Sequence, residues 1–477
     1  FVKYGVDPTV PSSHIREVLE TTITTFNLLD PATGAFNPAG TTTDETIRVL
    51  IATPMATSAP ACTGGLAPFG NCAPLVVFRH GLGRGRADLL TVADSFAAKG
   101  FVTAAIDAAD HGDRSFCTSG QATLTIGGVT VPQCVTGVSC TTTLPAGAQG
   151  DASPPGICAN DPTTGRDPTK FVKQPVSAAC RANPASCSYA GADGIPLVSS
   201  NYLVSANFFR TRDTLRQDII DQSQLVRAIA FVPQGPPPSG NALFDYMVVQ
   251  GAIIDPAKVY FAAQSLGSIQ GAADVATNPR ISRAVLNVGG GTVVDVFTTS
   301  PAFSSTTNAL LASLGILPGA NSAYLQFLIV AKMILDPADP VNFAGHLTAN
   351  PLPNLLANPN GSVLQAPKSL LTQAAFCDQT VPNPWNYILD STAGTGPLPP
   401  TGAPGTFELF FKSNSAPTPT DLAACPAPTS GQPPPVTAVN HGFLTDWAAG
   451  NATVLGQGRA ADFLSGTASP SSIVLVQ

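Results

Sequence analysis

Apolar stretches of strand length alternate with amphipathic stretches of helix length over most of this 477-residue chain. Residues 73–81 and 101–107 are rich in apolar residues, and residues 86–100 between them have the spacing of a helix that closes at Gly100. A strand, a helix and a second strand in this order imply a parallel pair with a right-handed crossover. The alternation therefore predicts an α/β fold with a mostly parallel central sheet flanked by helices. Further strands are predicted at 46–55, 258–263, 284–289, 369–374 and 406–411, and a long amphipathic helix at 206–231.

Two segments interrupt this alternation. Residues 115–200 hold six of the ten cysteines among many Gly, Pro and Thr residues, which indicates a disulfide-rich insertion. Residues 292–360 contain charge-poor apolar helical segments that either thicken the core or form a cap over an apolar pocket. Large α/β proteins often keep one domain with insertions, so we expect a single domain over 1–477 that carries a Cys-rich insertion at 115–200 and a helical cap or lid at 292–360.

The charge of the chain limits its partners. Only 11% of the residues are charged, against about 25% in an average soluble protein. The net charge is −7 and no run of Lys or Arg occurs, which argues against a nucleic-acid partner. The longest apolar run, 324–335, is interrupted by Lys332 and is shorter than the ~20 residues of a membrane span, so no transmembrane segment is expected.

The cysteines indicate disulfides in an exported protein. Their number is even and no C-x-x-C motif occurs, which argues against a zinc ribbon or a thioredoxin-like site. The chain starts at Phe1 with neither an initiator methionine nor a signal peptide, as expected of a processed secreted protein. Sequence proximity predicts the bridges Cys62–Cys72 and Cys180–Cys187.

Ser265 lies where a predicted strand meets a predicted helix, in the stretch Ala263-Gln264-Ser265-Leu266-Gly267. This is the nucleophile-elbow pattern G-x-S-x-G with Ala in the first position, although an ordinary strand-to-helix junction gives the same pentapeptide. Small residues suit this position because the turn is strained and other segments of the main chain pack closely on both sides of it. The N-terminus of the following helix would favour negative charge that develops at the serine.

A serine hydroxyl needs a base, and the base needs an orienting acid. In folds with this elbow the order along the chain is Ser, acid, His. Asp378 follows the strand at 369–374, and His441 is the only histidine after it. We therefore assign Asp378 as the acid and His441 as the base. Three aspartates that do not directly follow a strand are poorer candidates for the acid: Asp336, Asp339 and Asp390.

A third disulfide is predicted from this assignment. Cys377 adjoins Asp378, and Cys425 lies in the loop that leads to His441. A Cys377–Cys425 bridge would tie the acid loop to the base loop.

The turn after the strand at 73–81 is the candidate oxyanion hole, which requires two main-chain N–H groups aimed at one oxygen. The N–H of Leu82 in this turn and that of Leu266 after the serine are the candidates. A dinucleotide-binding G-x-G-x-x-G motif is excluded because Arg86 stands where the third Gly would be. His80 precedes the serine in the chain, and we expect it to fix this turn by hydrogen bonding rather than to act as a base.

Several of these motifs together resemble a known family. The stretch 75–115 (LVVFRHGLGRGRADLLTVADSFAAKGFVTAAIDAADHGDRS) is similar to the core of bacterial extracellular and surface-displayed lipases and lysophospholipases, the virulence-factor lipase family of α/β-hydrolases. The likeness continues, in the family's order, in RDTLRQDIIDQSQL (212–225), AQSLGS (263–268), LDPADPVNF (335–343), CDQTVP (377–382) and NHGFL (440–444). It covers most of 70–445 outside 115–200 and the Pro-rich region near 392–436.

The resemblance implies an α/β-hydrolase fold with Ser265 as nucleophile, Asp378 as acid and His441 as base. The chain departs from the family at three positions: Gln264 stands where His is usual, Ala263 replaces Gly, and Arg79 stands where Gln is common before His-Gly. The first two changes remove no catalytic group but are expected to alter the floor of the pocket. The candidate pocket residues are Gln264, His80 and His111, and fixing of the loop after the strand at 101–107 is the alternative role of His111.

The sequence therefore predicts a secreted serine hydrolase of the lipase or esterase type that acts through an acyl-enzyme and needs no metal or cofactor. Its substrates would be small-molecule, lipid or polymeric esters with an apolar acyl or aromatic acid part, polyesters included, and contact with lipid surfaces would be peripheral. The expected location is extracellular or at the outer-membrane surface. An amidase or acyltransferase with the same triad is one alternative, and a non-catalytic surface-binding protein of the same fold is another.

Overall fold

A nine-stranded sheet crosses the molecule, with helices on both of its faces. The structure, a computed structural model, describes residues 6–7, 9–29, 35–36, 39–40, 42–109, 111, 114, 122–126, 129–133, 156–157, 172–173, 208–313, 315–319, 321–394, 407–414, 436–467 and 473–477. The strands within these residues are β1 (Ile15–Asn27), β2 (Thr43–Pro54), β3 (Asn71–Arg79), β4 (Val102–Ile106), β5 (Ala122–Ile126), β6 (Val129–Gln133), β7 (Gly156–Ile157), β8 (Val172–Lys173), β9 (Ala252–Gln264), β10 (Ile281–Asn287), β11 (Ser369–Ala375), β12 (Phe407–Lys412) and β13 (Ile473–Val476).

The order of strands across the sheet is β1-β2-β4-β3-β9-β10-β11-β12-β13. Strand β2 pairs antiparallel with β1 and with β4, and every pairing from β4 to β13 is parallel. The predicted, mostly parallel sheet is thus confirmed. The carboxyl ends of β3, β9 and β11 therefore meet at one edge, which is where ligands bind in open α/β sheets.

The helices fill the connections between the strands. They are α1 (Leu89–Ala97), α2 (Phe208–Ile229), α3 (Ala242–Val249), α4 (Leu266–Thr277), α5 (Val293–Thr299), α6 (Ser304–Ser313), α7 (Ser322–Leu335), α8 (Val341–Thr348), α9 (Asn383–Thr392) and α10 (Asn451–Ser465). Helices predicted at 86–100 and 206–231 correspond to α1 and α2. The sheet order and the strand–turn–helix from β9 to α4 are those of the α/β-hydrolase fold.

Alternate side chains of the central strands enter two different hydrophobic layers, as the two-residue period of a strand requires. On β3, Val76 and Phe78 pack in the layer that contains α1 and α10. Leu75 and Val77 point the other way, into the layer formed with α2, α3, α4 and α8. Both faces of the sheet are covered, which explains why its strands have apolar sequences without alternation.

The two segments that interrupt the alternation differ in what the structure shows. Most of 115–200 lies outside the described residues; β5 pairs with β6 and β7 with β8 in two separate two-stranded sheets. Residues 292–360 include α5 to α8. Helix α8 contributes Ala344 and Leu347 to the main core, whereas α5 and α7 pack with Ile269 of α4 in a smaller cluster. The single-domain boundaries and the cap remain predictions.

A disulfide joins Cys62 to Cys72, with a Cα–Cα distance of 4.8 Å, as predicted. Cys377 is also disulfide-bonded. The predicted partner Cys425 and the predicted pair Cys180–Cys187 lie outside the described residues. None of the helices that the structure describes combines the length and the apolarity needed to cross a lipid bilayer.

Candidate active site

Ser265 occupies a sharp turn between β9 and α4. Its backbone has φ 57° and ψ −123°, a conformation that residues other than glycine seldom adopt. The main chain holds this turn: the N–H of Ser265 donates to the carbonyl of Asn287 at 2.9 Å, and the Ser265 carbonyl accepts from the N–H of Ser268 at 2.8 Å. A serine in a strained strand-to-helix turn is the geometry of a nucleophile elbow.

The structure brings together the three residues that the sequence assigns as nucleophile, base and acid. His441 Nε2 lies 2.7 Å from Ser265 Oγ, and His441 Nδ1 lies 2.6 Å from Asp378 Oδ2. With Nδ1–H donating to the carboxylate, Nε2 is free to accept the serine proton. The Asp378 side chain is fully buried and the imidazole is mostly buried, so both hydrogen bonds lie in a medium of low dielectric constant.

The loop after β11 fixes the orientation of the Asp378 carboxylate. Its second oxygen, Oδ1, accepts from the N–H groups of Thr380 at 2.7 Å and Val381 at 3.0 Å. The preceding residue, Cys377, has φ 54°, and its N–H donates to Asn383 Oδ1 at 2.8 Å. Because one carboxylate oxygen is held by the main chain, the other is directed at the imidazole.

The other three aspartates lie elsewhere. Asp339 is buried, and its oxygens accept from the N–H groups of Thr292 and Val293 at 3.0 and 2.7 Å, so it caps the start of α5. Burial raises the pKa of Asp339 and, to a greater extent, that of Asp390 in α9. Asp336 is exposed at the end of α7.

The turn after β3 lies against the serine. A Cβ atom added to Gly81 would be 3.2 Å from the Cβ of Ser265, so the chain passes at van der Waals distance there. Leu82 follows directly, and Leu266 begins α4, where main-chain N–H groups have no acceptor within the helix. The side chains of Leu82 and Leu266 share one apolar cluster with Leu215. The role of the Leu82 and Leu266 N–H groups as an oxyanion hole remains a prediction.

His80 and His111 are both buried, with their rings 5.3 Å apart. His80 Nε2 accepts from the N–H of Ala108 at 2.9 Å, and its Nδ1 lies 2.9 Å from the carbonyl of Gly81. Burial, together with the charge of Arg79, holds the pKa of His80 well below its usual value, so the ring is neutral and Nδ1–H donates to Gly81. His111 Nδ1 bonds the carbonyl of Ala109. In the structure these two side chains join the loops after β3 and β4.

Gln264, the third candidate pocket residue, is also buried. Its side-chain amide contacts the loop that carries His441. The predicted pocket role of Gln264, His80 and His111 is untested by these contacts, all of which are made to the protein itself.

Sequence reasoning missed how Arg79 is used. Its side chain is fully buried at the end of β3; Nε donates to Asp218 of α2 at 2.8 Å, and Nη2 donates to Gln270 of α4 at 3.0 Å. It thereby fixes the end of the strand that leads to Leu82 against two helices. The available signal was an arginine directly after the apolar run of a central strand, where a charge needs a buried partner.

Among the residues that the structure describes, no three His, Cys, Asp or Glu side chains are grouped so that they could hold a metal ion.

One family model matches part of the chain. It is the model of platelet-activating factor acetylhydrolase, isoform II, and it matches residues 42–125. This segment contains β2, β3, α1 and β4 with the turn at Leu82, but none of Ser265, Asp378 and His441. Curated protein sequences give no match.

Solved structures with a similar chain path have low sequence identity to this protein. A mutant of the esterase rPPE is 11% identical with a TM-score of 0.39, over 98% of this chain and 88% of that one. A thermostable esterase from Pseudomonas putida ECU1011 is 11% identical with a TM-score of 0.34, over 83% and 74% of the two chains. The acylaminoacyl peptidase of Pyrococcus horikoshii is 9% identical with a TM-score of 0.33, over 80% of this chain but only 36% of that chain. The chain thus spans about a third of the length of that peptidase.

Proposed function

We propose that the protein is a serine hydrolase that cleaves carboxylic esters through an acyl-enzyme. The observation that carries this proposal is the continuous hydrogen-bonded path from Ser265 Oγ through the His441 imidazole to Asp378, with distances of 2.7 and 2.6 Å. The family model matched by residues 42–125 is named for an acetylhydrolase, an enzyme of ester cleavage, which agrees with this reaction class.

The proposed reaction has two halves. Ser265 Oγ attacks the ester carbonyl carbon while His441 Nε2 takes its proton; the C–O bond to the alcohol then breaks, and His441 returns the proton to the leaving oxygen. A water molecule, deprotonated by His441, then attacks the acyl carbon; the bond to Ser265 Oγ breaks, His441 returns the proton to Oγ, and the acid is released. Asp378 orients the imidazole and stabilises its positive charge in both halves.

Negative charge on the carbonyl oxygen would be stabilised from two sides. The N–H groups of Leu82 and Leu266 are the proposed donors, and the N-terminus of α4 adds the positive end of a helix dipole. Each donor of this kind is worth on the order of 10²-fold to 10³-fold in rate.

The proposed substrate has an apolar acyl or aromatic acid part. An apolar cluster beside Leu266 supports this: it contains Leu82, Leu215, Phe297 and Ala338. Such walls favour hydrocarbon over charged groups, and few polar groups are needed to orient an ester. Lipid esters, small esters and polyesters all have this chemistry.

We further propose that the enzyme works outside the cell or at the outer-membrane surface, as a relative of the bacterial surface lipases and lysophospholipases that the motifs resemble. The Cys62–Cys72 disulfide and the disulfide-bonded Cys377 support an oxidising location.

Covalent labelling tests the nucleophile. A fluorophosphonate probe should label the wild-type protein and the Ser268→Ala variant but not Ser265→Ala. Ser268 is the matched control, since it lies one turn away on α4 and its buried hydroxyl donates to Asn287 instead of a base. Hydrolysis of p-nitrophenyl esters should fall by about 10⁴-fold or more in Ser265→Ala. Persistent labelling or turnover in folded Ser265→Ala would remove the proposed mechanism.

A substrate panel tests the ester class. Acyl esters from short to long, an aromatic polyester and matched amides should be compared, with competing alcohols present in a parallel series. Faster cleavage of amides than of esters would favour an amidase, and ester exchange that exceeds hydrolysis would favour an acyltransferase.

A further inference from the structure

The last residue of β9, Gln264, places a buried amide directly before the nucleophile. Its side chain is 5% exposed. A primary amide has two N–H donors and an oxygen acceptor, and in a buried position each unsatisfied group is costly. Gln264 finds partners for its oxygen and for Nε2 in the segment 440–446, which we call the histidine loop because it carries His441.

Two contacts join Gln264 to the histidine loop. The hydroxyl of Thr445 donates to Gln264 Oε1, and Gln264 Nε2 donates to the main-chain carbonyl of His441 at 3.4 Å. Thr445 is itself buried, and its N–H donates to the carbonyl of Gly442 at 2.9 Å. The Gln264 amide therefore hydrogen-bonds to the histidine loop at two points: at His441, the base, and at Thr445, four residues later.

The rest of the loop is anchored from the opposite side. The rings of Phe443 and Phe410 of β12 lie 4.4 Å apart, and the N–H of Val439, just before the loop, donates to the carbonyl of Phe376 at 3.1 Å. These contacts hold the loop to β11 and β12, where the acid is. Gln264 supplies a hydrogen-bonded connection to β9, where the nucleophile is.

We propose that Gln264, together with Thr445, is a positioning pair that fixes the main chain of His441 relative to Ser265, and that Gln264 is not a wall of the substrate pocket. The amide and the nucleophile are adjacent residues, so one side chain sets the distance between the main chain of the nucleophile and that of the base. Both nitrogens of the imidazole are hydrogen-bonded, Nε2 to Ser265 Oγ at 2.7 Å and Nδ1 to Asp378 Oδ2 at 2.6 Å. A small rotation of the His441 backbone would break one of these hydrogen bonds. Displacement of a catalytic group by about 1 Å can cost on the order of 10²-fold in rate.

The inference rests on the proposed function and predicts a result that a pocket role would not give. A pocket residue changes KM or the preference among acyl chains. A positioning residue acts on the proton transfer and lowers kcat for every substrate alike, with KM nearly unchanged. The hydrogen bond between His441 Nδ1 and Asp378 should also loosen, which is visible without any substrate.

Three variants and one control test the pair. Gln264→Leu removes both contacts, Thr445→Val removes the hydroxyl at constant shape, and Thr445→Ser keeps it. Gln365→Leu is the control because it removes another buried amide, one that precedes β11 at the end of the sheet opposite to Asp378. Each is characterised by urea unfolding, by kcat and KM on short and long p-nitrophenyl esters, and by the far-downfield proton resonance of the His441 Nδ1–H.

We expect kcat to fall by about 10-fold to 100-fold in Gln264→Leu, and by a smaller factor in the same direction in Thr445→Val. KM should stay within about 2-fold for all esters, and the downfield resonance should broaden or vanish in these two variants. Thr445→Ser and Gln365→Leu should keep the resonance and the wild-type kcat, although Gln365→Leu loses stability. If Gln264→Leu does not fold, Thr445→Val decides alone.

Folded variants with wild-type kcat and an intact downfield resonance would overturn the proposed role, as would a change confined to KM or to acyl preference. Failure of the proposed function has a different signature, since the wild type itself would then show neither fluorophosphonate labelling nor ester hydrolysis.

Discussion

Gly267 on α4 and Arg79 on β3 approach each other so closely that no side chain fits between them. A Cβ atom on Gly267 would lie 2.5 Å from the main-chain oxygen of Arg79 and 2.6 Å from that of His80. The first turn of α4 therefore rests directly on the end of the strand that leads to Leu82. This contact sets the distance between the turn at Ser265 and the candidate oxyanion hole.

The first prediction concerns Gly267→Ala, for which Gly458→Ala is the control. The added methyl group must push α4 away from β3, and we expect the free energy of unfolding to fall by about 1–3 kcal/mol. Labelling by fluorophosphonate should slow at the same time, because Ser265 moves with the helix. Gly458 lies inside α10 with open space around its Cβ position, so alanine there should stabilise by about 0.5–1 kcal/mol and leave labelling unchanged. Equal effects in the two variants, measured in urea, would contradict the close contact.

Lys368 gives a prediction about pH. It is 6% exposed, and within the described residues its Nζ donates to two neutral acceptors, the carbonyl of Asn278 at 2.9 Å and Gln365 Oε1 at 2.8 Å. Burial lowers the pKa of Lys368 to about 8. Between about pH 8 and pH 10.4 the unfolded chain therefore binds more protons at this site than the folded protein does, and stability rises with pH.

We expect the wild type to gain on the order of 3 kcal/mol of stability relative to Lys368→Met as the pH rises through this window. Below about pH 8 the difference between the two proteins should be constant, because the lysine is then protonated in both states. Urea unfolding of both proteins at several pH values measures the difference in their free energies of unfolding. The contributions of other titrating groups cancel in this difference. Parallel curves across the whole range would contradict the lowered pKa.

The third prediction is the Cys377–Cys425 disulfide. Cys377 directly precedes the acid, and its positive φ belongs to the loop that directs the Asp378 carboxylate. Peptide mapping without reduction should find these two cysteines in one linked peptide. Replacing both by serine should cost about 2–4 kcal/mol and lower kcat, whereas replacing Cys62 and Cys72, which lie on no catalytic loop, should lower stability alone. A linked peptide that joins Cys377 to a different cysteine would contradict the pairing.

Much of the site could be predicted because its chemistry lies at strand ends. Ser265 and Asp378 each follow a mainly apolar run, and runs of this kind become parallel strands whose carboxyl ends share one edge. The chain order of nucleophile, acid and base then left only His441 for the last place. At Ser265, Asp378 and His441 the position in the sequence and the residue type that the reaction requires therefore agree.

Contacts between distant segments could not be predicted in this way. Gln264 bonds Thr445, 181 residues further along the chain, and no spacing within either segment signals that partner. Strand β1 was not evident from the sequence either. Its sequence is Thr-rich and partly exposed, and it forms a strand because it pairs antiparallel with β2. Both features depend on segments that are distant in the sequence. The central strands, in contrast, are buried on both faces and are therefore evident from their apolar sequences.

The last prediction concerns the exposed apolar face of α7, within the proposed cap. Leu325 on this face is 51% exposed, whereas Phe327 packs inward against Phe208 of α2, with ring centroids 5.7 Å apart. If the cap contacts the acyl chain, Leu325→Asn should lower turnover of long-chain esters relative to short ones without a change in unfolding, and Phe327→Ser should lower stability as well as shift the preference. Val249→Asn is the control, because Val249 is 81% exposed on α3, which precedes β9 at the end of the sheet away from Ser265. The measurement is kcat/KM across an acyl-length series together with urea unfolding. An unchanged chain-length preference in Leu325→Asn, or the same shift in Val249→Asn, would mean that 292–360 thickens the core and does not cap the substrate.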